Sequence, residues 1–154
     1  MAFIAEKDPG LIPQILSAIL EECVNGVSLA DPDLEDMPIV YVNKAFELMT
    51  GYSQFETVGR NCRFLQGDDL EQDGRKKLHD AISHGQATEV TLRNYRKNGE
   101  MFYNRLKMIP LRDRQGRLLY YLGVQLDVTE QVLAQEKIQK LSDQLEQLHD
   151  SAKD

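Results

Sequence analysis

Tryptophan is absent, cysteine occurs twice and histidine three times in 154 residues. Cys23 and Cys62 stand far apart with no Cys-x-x-Cys pair, so a standard zinc site cannot be assembled from them and the scattered histidines. In a reducing compartment a structural disulfide is not expected either. No apolar run nears the roughly 20 residues that a membrane span needs. The opening residues, Met1-Ala2-Phe3-Ile4-Ala5-Glu6-Lys7-Asp8, lack the basic end and apolar stretch of a secretory signal, and a cytoplasmic protein is expected. Basic charge is short as well: 18 Lys+Arg against 25 Asp+Glu leave a net −7. That balance disfavours nonspecific binding to nucleic acid or to an anionic membrane.

What is present suits one globular domain with modest extensions, at 42% hydrophobic and 28% charged residues. Leu11, Ile12, Ile15, Leu16, Ile19, Leu20 and Cys23 recur at helical spacing, which predicts an amphipathic helix over 11–22 with Asp8-Pro9-Gly10 as its start signal. Cys23 reads as packing material on that stripe. Val27 to Ala30 and Ile39 to Asn43 read as strands around an Asp31-Pro32-Asp33 turn. Lys44 to Thr50 reads as a short helix with Ala45, Phe46 and Met49 facing in, stopped by Gly51. Asp68 is placed to cap a longer helix from Leu70 to Ser83, ended by His84-Gly85.

Three strand-like runs follow. Thr88 to Tyr95 alternates, Lys97-Asn98-Gly99-Glu100 makes a hairpin turn, and Met101 to Ile109 returns. Asp113 to Gly116 turns the chain again into Leu118 to Asp127. This order is α+β and suits a five-stranded antiparallel sheet with helices on one face. Beyond Asp127 the pattern changes. Ala134, Ile138, Leu141, Leu145 and Leu148 are spaced four, three, four, three, a heptad seam on an otherwise polar helix. A lone helix of this length is marginal in water, so the stripe wants either its own domain or a second copy, and a homodimer through the terminal helices is expected. The expected division is 1–25 as an N-terminal helical cap, 26–127 as the core and 128–154 as the C-terminal helix.

Gly59-Arg60-Asn61-Cys62-Arg63-Phe64-Leu65-Gln66-Gly67 carries the chemistry. Glycines close both ends, so the run is a compact loop or short helix between turns. At helical spacing Cys62 and Gln66 share a face and Arg63 points about a quarter-turn away. Sulfur, amide and guanidinium could then surround one planar, phosphorylated ligand. Equally, Cys62 could be a small buried hydrophobe in a surface turn.

Asn61-Cys62-Arg63-Phe64-Leu65-Gln66 resembles the signature of the light-oxygen-voltage (LOV) domains, flavin-binding blue-light sensors of the PAS superfamily. The resemblance continues through Asp31-Pro32, Pro38 to Asn43, Phe46, Thr50-Gly51-Tyr52, Asn94-Tyr95, Phe102-Tyr103-Asn104 and Gly123-Val124-Gln125, so it spans about Val27 to Asp127. It implies a PAS strand order and a bound flavin mononucleotide (FMN). It further implies Asn94 and Asn104 at the far ring edge, Gln125 near ring nitrogen 5, and Asn61 and Gln66 near the ribityl chain. Arg63 matches a phosphate-binding residue. The family's second arginine falls where this chain has His79, a departure, and Arg75 one turn earlier on the same helical face is the candidate to replace it. Ring walls by resemblance are Leu65, Leu106, Met108, Tyr121 and Gly123. Tyr121 stands where phenylalanine is common, so its hydroxyl needs a partner.

The implied function is a photoreceptor and not an enzyme. In the family, blue light drives the cysteine sulfur, here Cys62, to bond reversibly to flavin carbon 4a while nitrogen 5 takes a proton. The Gln125 amide then reorients as a hydrogen-bond switch ahead of the exit helix. The lack of tryptophan leaves few aromatic side chains to quench a chromophore. Two other readings compete: a PAS dimerisation or interaction module indifferent to light, and an enzyme using Cys62 as nucleophile with His79 or His84 as base.

Overall fold

The computed structural model describes residues 11–153. The expected start signal at Asp8-Pro9-Gly10 lies outside them. Helix α1 (Leu11–Glu22) leads into β1 (Gly26–Ala30) and β2 (Ile39–Val42), followed by α2 (Lys44–Thr50) and α3 (Gln54–Thr57). A short 3-10 helix (Cys62–Gln66) and α4 (Asp73–Ser83) come next, then β3 (Thr88–Tyr95), β4 (Met101–Arg112), β5 (Leu118–Asp127) and α5 (Thr129–Ser151). The strands form one sheet in the order β2-β1-β5-β4-β3, all antiparallel. This is the α+β architecture expected, with helices at both ends.

Local chemistry explains most boundaries. Asn43 caps α2 by accepting from the Phe46 N–H, and also accepts from the Val27 N–H at 2.8 Å, so one side chain starts the helix and pins β1. Its own amide donates to the Leu20 and Asn25 carbonyls, which ties α1 to the core. Gly51 closes α2 at a φ of 77°, a conformation open to glycine at no steric cost. Phe46 is fully buried there, whereas Ala45 and Met49 are half-buried. Cys23 is half-buried, while Leu16 and Ile19 on the same stripe stay exposed.

Helix α4 begins at Asp73 and not at Leu70, and Asp68 does not cap it. The sheet takes the intervening residues instead. Gln72 exchanges two hydrogen bonds with the Arg93 backbone, and Asp69 takes a two-pronged contact from the Arg93 guanidinium at 2.6 and 2.7 Å. Tyr95 adds a third bond to Asp69 at 2.8 Å. Strand β4 also runs three residues beyond Ile109, to Arg112, because Pro110 lies opposite Tyr121 and the ladder continues past it.

Two apolar clusters form the core. One gathers Ala30, Leu78, Val90, Leu92, Leu106, Met108 and Tyr121 between α4 and the sheet. The other joins Ile39, Val42, Phe46 and Leu65. Helix α5 contributes to neither: none of its residues is buried, and Leu133, Ile138, Leu141, Leu145 and Leu148 are exposed. Its base is nonetheless fixed. The Val128 N–H donates to the Tyr103 carbonyl, and the Tyr103 N–H donates to the Thr129 hydroxyl, both at 2.9 Å. Asp127 accepts from the Thr129 N–H and from Arg96, whose guanidinium also reaches the Met49 carbonyl. Among the described residues no helix is long and apolar enough to cross a membrane.

Candidate functional site

The segment carrying Cys62 is held at both ends. Gly59 donates to the Ile39 carbonyl and Arg60 accepts from the Ile39 N–H, which anchors its start to β2. Asn61 caps the 3-10 helix, its side-chain oxygen accepting from the Arg63 N–H at 3.0 Å while its amide donates to the Asp36 carbonyl at 2.6 Å. Leu65 and Gln66 are thereby turned inward and buried.

The sheet presents amides to the same interior. Asn94, Asn104 and Gln125 are each at most 3% exposed. Asn104 donates to Asn94 at 2.9 Å across β3 and β4, and Asn94 donates onward to the Arg93 carbonyl. Gln125 donates to the Ser28 hydroxyl at 2.8 Å. Three buried oxygens have no partner among the described residues: Gln66 Oε1, Asn104 Oδ1 and Gln125 Oε1. Orphaned acceptors of this kind each cost about 1–3 kcal/mol, and three around one space mark a site shaped for a ligand that donates hydrogen bonds.

That space is an inner cavity bounded by Ser28, Cys62, Leu65, Gln66, Leu78, Leu92, Asn94, Asn104, Leu106, Met108 and Gln125. An outer cleft of about 360 Å³ opens beside it, where Asn61, Arg63, Arg75 and His79 meet an apolar wall that includes Leu34, Met37 and Ile82. Cys62, Gln66 and Leu78 border both. The arrangement therefore runs from a cationic mouth, past a thiol, to an amide-lined end. Burial pushes the Cys62 thiol above its ordinary value, outweighing the pull of the Arg63 charge. Among the described residues no histidine nitrogen bonds to the sulfur. His84 bonds the Asp80 carbonyl and lines neither space.

Of the residues singled out in the sequence, Cys62, Leu65, Gln66, Asn94, Asn104, Leu106, Met108 and Gln125 come together at the inner cavity. Tyr121 lines neither space. It is buried in the cluster behind Leu106 and Met108, with its hydroxyl 3.4 Å from the Ile82 carbonyl. Gly123 shapes the site by what it lacks: a Cβ there would stand 2.5 Å from Ser28 Oγ and 3.0 Å from Gln125 Nε2. Gly26, directly opposite Gln125, leaves similar room on its other side. The sequence reading missed Ser28, Leu78, Leu92 and Asp36. The only available signal for Ser28 was a polar residue among apolar ones in a short inward-facing strand.

A model of the PAS domain matches residues 24–130. The "Blue-light photoreceptor" of Listeria innocua serovar 6a is 41% identical over 123 residues, covering 80% of this chain and 48% of that protein. A solved RNA-binding light-oxygen-voltage receptor superposes with a TM-score of 0.84 at 35% identity, over 97% of this chain and 42% of that one. A light-oxygen-voltage domain studied with a flavin analogue gives 0.71 at 35% identity, over 88% and 98%. The chain spans less than half the length of curated relatives that it matches, 19% to 48% of four of them.

Proposed function

The chain belongs to the PAS domain family and, within it, to the light-oxygen-voltage domains, and from that premise we propose that it is a blue-light receptor working through a bound flavin and Cys62. The observation that carries the proposal is the set of orphaned oxygens on Gln66, Asn104 and Gln125 around a cavity that Cys62 also borders. A flavin ring carries an N–H for the amide pair, and its polyol carries hydroxyls for Gln66. The leucines and Met108 suit the faces of the ring. FMN is the form favoured by the cationic mouth, with Arg63, Arg75 and His79 all on the outer cleft.

The bound flavin supplies light absorption and an excited state able to accept a thiol. Every other part falls to the chain. Cys62, on the border of the cavity and with its thiol pushed above the ordinary value by burial, would be the group that gives sulfur and proton to the flavin under light and takes both back in the dark. Gln125 has a buried oxygen free to accept from a donor in the cavity, and reversal of its amide would present an N–H to an acceptor there instead. The same geometry argues against an enzyme with Cys62 as nucleophile, since that requires a base bonded to the sulfur and a lowered thiol pKa.

Readout is assigned to the ends of the chain. Helix α5 exposes its whole apolar stripe and leaves the strand that holds Gln125 two residues after it. A second copy is the partner that best fits a self-complementary heptad seam.

The test is the absorption spectrum of the purified chain before, during and after blue light. Flavin bands that bleach and recover are expected. Cys62→Ala should retain the colour, lose reversible bleaching and fluoresce more brightly. Ordinary bleaching and recovery in Cys62→Ala would remove Cys62 from the reaction.

A further inference from the structure

The mouth of the outer cleft holds three cationic or potentially cationic side chains, and the two arginines each already have an acceptor. The Arg63 guanidinium is ion-paired with the Asp36 carboxylate. Arg75 Nη1 donates to the Leu70 carbonyl at 2.5 Å. His79 Nδ1 lies 3.7 Å from Asp80 Oδ1. Any anion entering the cleft therefore meets two arginines that are already engaged, and Arg63 is the one whose partner carries full opposite charge within the cleft itself.

Asp36 is held at this place by an unusual backbone. It and Met37 are the non-glycine residues at positive φ among those described, at 63° and 45°. Conformations of this kind persist only where the surroundings enforce them. Here the restraint comes from Asn61, which donates to the Asp36 carbonyl, and from Arg63, which grips its side chain. The pair is half-exposed on both sides, and ion pairs so placed contribute little to stability. Its larger effect is on the charge that Arg63 can offer to a ligand.

Resting on the flavin reading above, we infer that Asp36 sets how strongly this chain prefers a phosphorylated flavin to its unphosphorylated parent. The carboxylate offsets the Arg63 charge and repels a dianionic phosphate, while leaving contacts to the ring and polyol untouched. The wild-type chain then prefers FMN to riboflavin by less than its cationic mouth alone would give. Removing the carboxylate charge releases Arg63 for a charge-assisted, two-pronged grip on phosphate, which riboflavin cannot use.

The test is flavin exchange on the full chain, purified with its own flavin and equilibrated with excess FMN and riboflavin in equal amounts. The bound ratio is read by chromatography after release. Asp36→Asn is the informative variant because asparagine tolerates positive φ and keeps the carbonyl that accepts from Asn61. The FMN-to-riboflavin ratio should rise about tenfold in Asp36→Asn, the size expected for one freed charge-assisted contact. No rise should occur when Arg63→Gln is added. An unchanged or lowered ratio in Asp36→Asn overturns the inference, as does an equal rise in the double variant. A wild-type chain that retains neither flavin overturns it together with the flavin reading, whereas an unchanged ratio in a yellow Asp36→Asn protein overturns this inference alone.

Discussion

The side-chain amide of Gln125 donates to the Ser28 hydroxyl across β5 and β1, while its own oxygen stays buried without a partner. The contact exists because position 123, which pairs with Ser28 in the ladder, has no side chain. A serine, a glycine and a glutamine on two strands thus act as one unit that decides which end of the amide faces the cavity.

Gly123→Ala should break that unit, because the added methyl meets Ser28 Oγ at 2.5 Å and something must shift. A loss of about 1–3 kcal/mol in denaturant unfolding is expected for such overpacking. Ser28→Ala should cost less stability but leave Gln125 free to turn. Its signature is a changed dark-recovery rate with flavin content unaltered. A recovery rate equal to wild type would show that the hydroxyl does not hold the amide.

The two cleft residues Arg75 and His79 separate by substitution. Arg75→Ala should weaken flavin retention or speed dark recovery, and His79→Ala should do less, since its side chain is largely solvent-exposed. Dialysis followed by absorption at the flavin band measures both. The reverse ranking would give the phosphate to His79.

Deleting the chain from Gln131 onward removes the exposed stripe while keeping Val128, which is 2% exposed, and Thr129, which anchors β4. A cut directly after Asp127 would take both. The shortened chain should photocycle normally and lose its dimer in sedimentation, and Leu141→Glu with Leu148→Glu should do the same in the full chain. A full-length monomer in both dark and light would defeat the dimer, and a dimer that survives the deletion moves the interface elsewhere.

Asp69 gives the fold an acid limit. Its hydrogen bonds from Arg93 and then Tyr95 hold the carboxyl down at about 2, below the ordinary 3.8. A depressed folded-state value stabilises above the unfolded one and is lost as pH falls through the window from 3.8 to about 2. Unfolding midpoints should therefore drop with acid across that window, and Asp69→Asn should flatten the slope there. An unchanged slope in the variant would place the acid sensitivity in other carboxylates.

Much of this was legible in the residue order. The alternation in Thr88–Tyr95 and Leu118–Asp127 marked both strands to the residue, and Gly51 and Gly99 marked a helix stop and a hairpin. What failed was non-local. The start of α4 moved because Asp69 and Gln72 bond to Arg93, more than 20 residues away, and no window along the chain contains both partners. Asp36 escaped notice because positive φ at aspartate leaves no compositional trace, and Ser28 because a single hydroxyl in a strand has many uses. The hexapeptide placed Cys62 and Gln66 together, yet which amide oxygens would lack partners depends on three strands meeting.

Helix α5, free of the core along 23 residues, also has a mechanical meaning. At about 1.5 Å of rise per residue it is a rod of roughly 35 Å, and a tilt of only about 5° at Thr129 would sweep its far end through roughly 3 Å. An amide turning over inside the sheet moves atoms by less than that. In the proposed readout, the length of the arm, and not the size of the event at its root, would set how far Leu148 travels.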